Sequence, residues 1–173
     1  MRQPSRYQIA MDFIPEDEKL YPSRFEEVKE EYRFVREAQV ANYHISAPAH
    51  AAAYFREYIY QPFDKFTQEE LWVLMLDSQN TVMYDALIYR GTINAVTIRV
   101  GELFRPALYY NSASIVLGHQ HPSNNPTPSP QDVAVTESVV EAGRLLDVQV
   151  LDHCIMGRDS FTSLREQGLG GFK

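Results

Sequence analysis

The chain has 173 residues, 45% of them hydrophobic, a formal net charge of -7 and a single cysteine. This length is typical of a single domain with a buried core, which has about 100 to 200 residues. The negative charge argues against a nucleic-acid partner, since phosphate binding needs clustered Lys and Arg. The lone Cys154 excludes an internal disulfide, and with no apolar stretch near about 18 residues and no basic-then-apolar signal pattern we expect a cytoplasmic protein without a membrane span.

An N-terminal arm with one short helix is expected over residues 1–44, ahead of a domain over residues 45–173. Residues 1–21 carry an acidic cluster and predict a loosely ordered arm or a strand that docks elsewhere. Ser23 and Glu26 have capping-box spacing, and apolar residues at helical intervals through Val35 predict an amphipathic helix.

Apolar runs, alternating patterns and helical periodicity predict the elements of the domain. In chain order these are a helix over residues 46–61, strands over 71–76, 82–89 and 93–100, a helix over 103–110, a strand over 113–121, a helix over 133–146, and strands over 148–151 and 161–164. Because strands and helices interleave, the predicted class is α/β. The glycine-rich residues 168–173 are predicted to be a flexible tail.

Two histidines stand at the end of the strand predicted over residues 113–121. Since side chains alternate along a strand, His119 and His121 project from the same face, and their ring nitrogens can converge on one point. The loop that follows is rich in Pro and Asn, and Ser129 before a proline is typical of a helix N-cap. Asp132 therefore lies in the first helical turn, where its carboxylate can turn back toward the histidines.

Two nitrogens and one oxygen leave one position of a tetrahedral zinc open. Three protein ligands and an open position are typical of a catalytic zinc rather than a structural one. Water bound to such an ion ionises near pH about 7 and supplies a nucleophile. We therefore expect one Zn²⁺, bound by His119, His121 and Asp132.

This stretch reads His-x-His-Pro-Ser, five residues, then Ser-x-x-Asp, and it resembles the JAMM motif of the JAB/MPN metallopeptidases. It is most similar to the RadC-like branch. It differs from that branch at Gln120, where the branch has Asn, and at Asn124, where the branch has Gly. Since Asn tolerates a positive φ, we expect the loop conformation to be kept. The resemblance covers residues 45–168 and implies a mixed central sheet flanked by helices, like the cytidine-deaminase fold. The first residues do not resemble the helix-hairpin-helix domain of many RadC relatives, which weakens a DNA-binding interpretation.

Hydrolysis by such a site needs a carboxylate near the open coordination position. In the RadC-like pattern a glutamate precedes the first core strand as Glu-x-Phe, which corresponds to Glu69. In the wider JAMM group the glutamate leads directly into the strand, which favours Glu70. Only one of the two can face the ion, because adjacent strand residues point opposite ways. We prefer Glu69 and keep Glu70, which also has capping-box spacing to Thr67, as the alternative.

Ser129 matches the motif serine, whose implied role is to hydrogen-bond the developing oxyanion or the substrate carbonyl. A plain helix N-cap is an equally weighted interpretation, and both can hold together. His153, beside Asp152, is expected to be a strand residue rather than a ligand, and Cys154 a small buried apolar residue.

The resemblance implies a zinc metallopeptidase or isopeptidase with a protein or peptide substrate. One alternative is a metal-dependent nuclease linked to DNA repair, but an acidic chain has little positive charge to hold phosphates. Another is a non-catalytic interaction module in which zinc only stiffens a loop. The presence of both candidate glutamates favours the enzyme.

Overall fold

The computed structural model describes residues 35–91 and 98–172 of the chain. Within these residues the strands are β1 (Val35–Glu37), β2 (Glu70–Leu76), β3 (Val82–Arg90), β4 (Ser114–Gln120), β5 (Gln149–Met156) and β6 (Phe161–Ser163). The helices of the same residues are α1 (Pro48–Tyr54), α2 (Val100–Tyr109) and α3 (Pro130–Leu146), with a π-helical turn at Phe55–Ile59 and a 3₁₀ turn at Phe63–Lys65. The class is α/β, as the sequence predicts.

The strands of the described residues form one six-stranded sheet in the order β1-β3-β2-β4-β5-β6. Strands β4 and β5 run parallel, and the other neighbouring pairs are antiparallel. A parallel pair needs a crossover connection, and α3 supplies it between β4 and β5. The crossover places the start of α3 near the C-terminal end of β4.

Helices cover both faces of this sheet. Val73 and Leu117 belong to a buried core beneath α2 and α3. Leu74 and Val116 point the other way, into a second core beneath α1 and the π-helical turn. Every residue of β2 is buried, as expected for a central strand that is covered on both faces. The mixed sheet flanked by helices is therefore confirmed.

Most of the predicted elements of the domain are confirmed within one to three residues. The helix predicted before Pro62 is α1 and its π-helical turn, and Pro48 occupies its first turn. The buried strand and its partner are β2 and β3, joined through residues 77–80. The helices predicted over 103–110 and 133–146 are α2 and α3, each beginning three residues earlier.

Some predictions at the element ends are wrong. Val35, predicted as the last apolar residue of an amphipathic helix, lies in β1, where it pairs with Ala86 of β3. Val100, predicted to end a strand, begins α2. Three predicted segments lie outside the described residues: the arm over residues 1–21, the rest of the amphipathic helix that was predicted to end at Val35, and residues 93–97 of the predicted strand.

The C-terminal end of the domain also differs from the prediction. Strand β5 continues to Met156 rather than stopping at residue 151, because its second half pairs with both β4 and β6. The predicted flexible tail instead packs on α3: Phe172 contacts the core beneath that helix, and Arg144 donates to the Gly171 carbonyl oxygen at 2.8 Å. None of the helices in residues 35–91 and 98–172 has both the length and the apolarity needed to cross a bilayer.

Candidate metal centre

The pairing of β2 with β4 decides which side chains share a face with His119. Leu71 pairs with His119, so these two residues point to the same side of the sheet. Glu69, two residues before Leu71, shares that side because strand side chains alternate. Glu70 pairs with Gln120 and faces the opposite side. The fold therefore brings Glu69, not Glu70, to the histidines.

His119 is buried and has a carboxylate near each ring nitrogen. Its Nδ1 lies 3.0 Å from Asp132 Oδ1, and its Nε2 lies 3.8 Å from Glu69 Oε2. Neither nitrogen has a well-aligned hydrogen bond to any described residue. Burial alone would lower the pKa of His119, but the two carboxylates outweigh burial and raise it.

His121 approaches the same point from the end of the strand. Its ring lies edge-on to that of His119, with the ring centroids 4.6 Å apart. The Asn125 carbonyl oxygen lies 2.8 Å from His121 Nδ1 and can only accept, so this nitrogen carries the proton. In the neutral ring the lone pair is therefore on the other nitrogen, Nε2, which lies 3.6 Å from Asp132 Oδ2. The loop after β4 thus fixes the tautomer that a metal ligand needs.

Asp132 is held in the first turn of α3 by a capping box with Ser129. The Ser129 amide and hydroxyl both donate to Asp132 Oδ2, at 2.7 and 2.6 Å, and the Asp132 amide donates to Ser129 Oγ at 3.2 Å. Burial would raise the pKa of Asp132, but His119, His121 and the Ser129 hydroxyl together bring it well below its usual range. The N-cap role predicted for Ser129 is confirmed, and its hydroxyl hydrogen is directed at Asp132.

The two candidate glutamates have different surroundings. The Glu69 side chain is 29% exposed and lies on the His119 side. Glu70 is buried on the other side, where it accepts from Trp72 Nε1 at 2.7 Å and pairs with Arg90 Nε at 2.6 Å. Glu70 is therefore a structural residue of the second core, and its side chain is not available to the histidines.

A divalent metal fits the donor atoms gathered here. The buried ring nitrogens of His119 have no aligned hydrogen-bond partner among the described residues, and buried polar atoms normally have one. A set of imidazole and carboxylate ligands suits zinc and other first-row metals. Ligand atoms of Glu69, His119 and His121 lie within 4.8 Å of one another. Asp132 comes closer to both rings but meets His119 through Nδ1, whereas Glu69 meets it through Nε2. Among the described residues, the group whose ligand atoms all lie within 4.8 Å of one another is therefore Glu69, His119 and His121, while the predicted ligand Asp132 lies on the Nδ1 side of His119 and outside that group.

The loop between β4 and α3 adopts the conformation expected from Asn at position 124. Asn124 has a φ of 63°, in the left-handed region that Asn tolerates, so this prediction is confirmed. Its side-chain Oδ1 accepts from the Arg158 amide at 2.5 Å, which ties the loop to the turn after β5. Asn124 therefore adopts the backbone conformation of the turn and adds a side-chain contact.

A buried histidine and threonine lie behind the site. His153 on β5 stacks beside His119, with ring centroids 6.1 Å apart, and its Nδ1 lies 2.6 Å from Thr136 Oγ1. Burial, followed by the charge of His119, lowers the pKa of His153 to about 3. The sequence offered one signal, since Thr136 follows Asp132 by one helical turn. The position of His153 depends on the register of β4 and β5, which no local pattern reveals.

Comparison with known proteins places this site in a family. The model of the RadC-like JAB domain matches residues 45–169. The chain is similar to a UPF0758 protein of Roseiflexus castenholzii, with 49% identity over 106 residues that make up 61% of this chain and 46% of the relative. A UPF0758 protein of Chloroflexus aggregans is 42% identical over 138 residues, 80% of this chain and 58% of the relative. One from Methanococcoides burtonii is 41% identical over 110 residues, 64% and 48% of the two chains.

This chain spans about half the length of the curated relatives that it matches. The matched region contains all the residues of the candidate site, from Glu69 to His153. The match also covers the whole connection from β4 through α3 to β5. The chain therefore belongs to the RadC-like JAB domain family.

Proposed function

We propose that this protein is a zinc-dependent hydrolase that cleaves an amide bond in a protein or peptide. Family membership is consistent with a hydrolase. The observation that carries the proposal is the convergence of two imidazoles and two carboxylates around His119, whose buried nitrogens have no aligned protein partner among the described residues. Zinc in such a site ionises a bound water near neutral pH and polarises the carbonyl under attack.

We assign the ligand role to His119, His121 and Asp132. Asp132 is favoured over Glu69 because its side chain is 3% exposed, against 29% for Glu69, and because it approaches both histidines. A buried carboxylate held by Ser129 is already oriented and loses little freedom on binding an ion. Three protein ligands leave one position for water or substrate.

Glu69 is assigned the role of proton acceptor and donor. A general base must receive a proton at the reacting centre and exchange it with solvent. Glu69 meets both needs when His119 binds the ion through Nε2, because its Oε2 lies 3.8 Å from that atom while its side chain stays partly exposed. Asp132, which lies nearest Nδ1, would then reach the ion only after its carboxylate or the His119 ring turns. Its carboxylate would accept a proton from the attacking water at Oε2 and deliver it to the leaving amine.

Ser129 has two assigned roles that act in sequence. It first holds Asp132 through the capping box. When substrate is present, its hydroxyl is assigned to donate to the developing oxyanion, as the family motif implies. This second role is a proposal and requires the hydroxyl to turn away from Asp132 Oδ2.

A nuclease has less support than an amide hydrolase. The 16 Lys and Arg residues are outnumbered by 23 Asp and Glu, and a phosphate backbone is bound through clustered positive charge. A nuclease would need positive charge from a metal or from a partner. DNA is therefore the comparison substrate in the test of the proposal, not the expected one.

The test offers isopeptide-linked, linear peptide and DNA substrates to the zinc-loaded protein, with and without a chelator. Amide cleavage that the chelator abolishes is expected, with loss of activity in Glu69→Gln and retention in the matched control Glu70→Gln. The control makes the same Glu-to-Gln change at the next residue, whose side chain faces the other side of the sheet. Chelator-sensitive cleavage of DNA alone would replace the proposal with a nuclease, and zinc binding without any cleavage would favour the interaction module.

A further inference from the structure

A single buried side chain on β5 contacts the surroundings of two proposed ligands. His153 is 1% exposed, and its ring stacks beside that of His119 at an interplanar angle of 26°. Its Nδ1 lies 2.6 Å from Thr136 Oγ1, and Thr136 Oγ1 lies 2.5 Å from the carbonyl oxygen of Asp132. His153 thus touches one ligand directly and reaches the other through Thr136.

The direction of these hydrogen bonds follows from counting hydrogens. A carbonyl oxygen only accepts, so the single hydroxyl hydrogen of Thr136 is donated to Asp132. His153 must then donate from Nδ1 to Thr136 Oγ1, which assigns it the Nδ1–H tautomer. Nε2 carries the lone pair and has no hydrogen-bond partner among the described residues. The chain of donors runs in one direction, from His153 through Thr136 to Asp132.

Packing around Thr136 fixes the geometry of this chain. Threonine side chains in helices often donate to the carbonyl four residues earlier, so that contact alone would be unremarkable. Thr136, however, is fully buried, and a Cβ added to Gly170 would lie 2.5 Å from its Cγ2. The C-terminal tail therefore lies close to the methyl group, and the hydroxyl lies between His153 and Asp132.

We propose that Thr136 and His153 are positioning residues for the metal centre. Their hydrogen-bond chain fixes the first turn of α3, which carries the Asp132 carboxylate, while the His153 ring limits the rotation of His119. Both ligands are thereby oriented before an ion binds. The inference rests on the proposed function, because it concerns the same site. Groups that orient metal ligands in this way typically contribute about 10- to 100-fold to metal affinity.

The main test compares three variants of the full chain by chelator competition with Zn²⁺ and by the absorption spectrum of bound Co²⁺. Thr136→Val keeps the shape but removes the hydroxyl, and should weaken Zn²⁺ binding by about 10- to 100-fold and alter the Co²⁺ spectrum. Thr136→Ser restores the hydroxyl and should recover both. Thr162→Val makes the same change at a half-buried site on β6 and should leave both as in wild type.

Two results would overturn the inference: wild-type affinity in Thr136→Val, or equal weakening in Thr136→Ser. A second measurement remains informative should Thr136→Val fail to fold. NMR of the ring nitrogens in the metal-free wild type should show His153 as the Nδ1–H tautomer, and the Nε2–H tautomer would contradict the donor chain. Absence of metal binding in the wild type would refute the proposed function instead, so the two failures are distinguishable.

Discussion

Replacing Gly118 with alanine should destabilise the protein, because this residue is where the strand carrying His119 touches the helix on the opposite face. A Cβ at position 118 would lie 2.5 Å or less from three atoms of the Phe55 ring. Phe55 is fully buried and stacks on Tyr60, whose hydroxyl donates to the Gly118 carbonyl oxygen at 2.7 Å. The Phe55 ring is therefore packed between the strand and Tyr60.

The expected cost follows from the size of this overlap. Carbon atoms are at their optimal separation at about 3.5 to 4.0 Å, so the ring and strand must separate by roughly 1 Å. Overpacking of this kind costs about 1 to 3 kcal/mol, and the contact with three buried ring atoms favours the upper end. Alanine recovers about 0.5 to 1 kcal/mol relative to glycine within a strand. The net loss should be about 2 kcal/mol, a decrease in Tm of about 4 to 8 °C.

Urea unfolding followed by circular dichroism measures this loss directly. Gly101→Ala is the matched control, because a Cβ there has no atom of the described residues within 4 Å and lies in the first turn of α2. That control should match wild type or gain up to about 1 kcal/mol from helix propensity. Phe55→Leu in the Gly118→Ala background should recover part of the loss. Wild-type stability in Gly118→Ala alone would refute this description of the interface.

Three further predictions concern buried ionisable groups. Glu70→Gln should lower the free energy of unfolding by about 1 to 2 kcal/mol in urea titrations, because it removes a charged acceptor from Arg90 and Trp72; an unchanged midpoint would count against a structural role. Burial raises the pKa of the Cys154 thiol well above its ordinary value, so the native protein should not react with iodoacetamide at pH about 8 and should react once unfolded. Burial lowers the pKa of His153 to about 3, so between pH 6.5 and 3 the unfolded chain binds a proton at this ring that the folded protein does not bind. The metal-free protein should therefore lose stability as the pH falls from 6.5 toward 3. Protonation of the His153 ring near pH 6.5 in a folded sample, seen by NMR, would contradict this last expectation.

Local patterns were sufficient for the central elements of the fold. The run from Leu71 to Leu76 has no polar residue, which is consistent with a strand covered on both faces, and this strand lies inside the sheet. Strand alternation placed His119 and His121 on one face, and Ser129 before Pro130 marked the start of α3. Each of these signals depends only on residues that are close together in the chain, so each can be recognised in the sequence without knowledge of the fold.

Long-range pairing decided what the sequence left open. Whether Glu69 or Glu70 faces His119 depends on the register between β2 and β4, strands that residues 77–113 separate in the chain. The position of His153 depends on the parallel pairing of β4 with β5, where the register shifts after Ile115. The predicted end of β5 at residue 151 was wrong for the same reason, since its later residues are stabilised by strands on both sides. No local propensity encodes such pairings.

The central claim is that His119, His121 and Asp132 hold one divalent ion while Glu69 does not. Equilibrium dialysis against Zn²⁺ followed by metal analysis tests it most directly. We expect about one zinc per chain in wild type and in Glu69→Gln, and almost none in His121→Ala or Asp132→Ala. A wild-type protein without zinc, or zinc that is lost in Glu69→Gln and retained in Asp132→Ala, would contradict it.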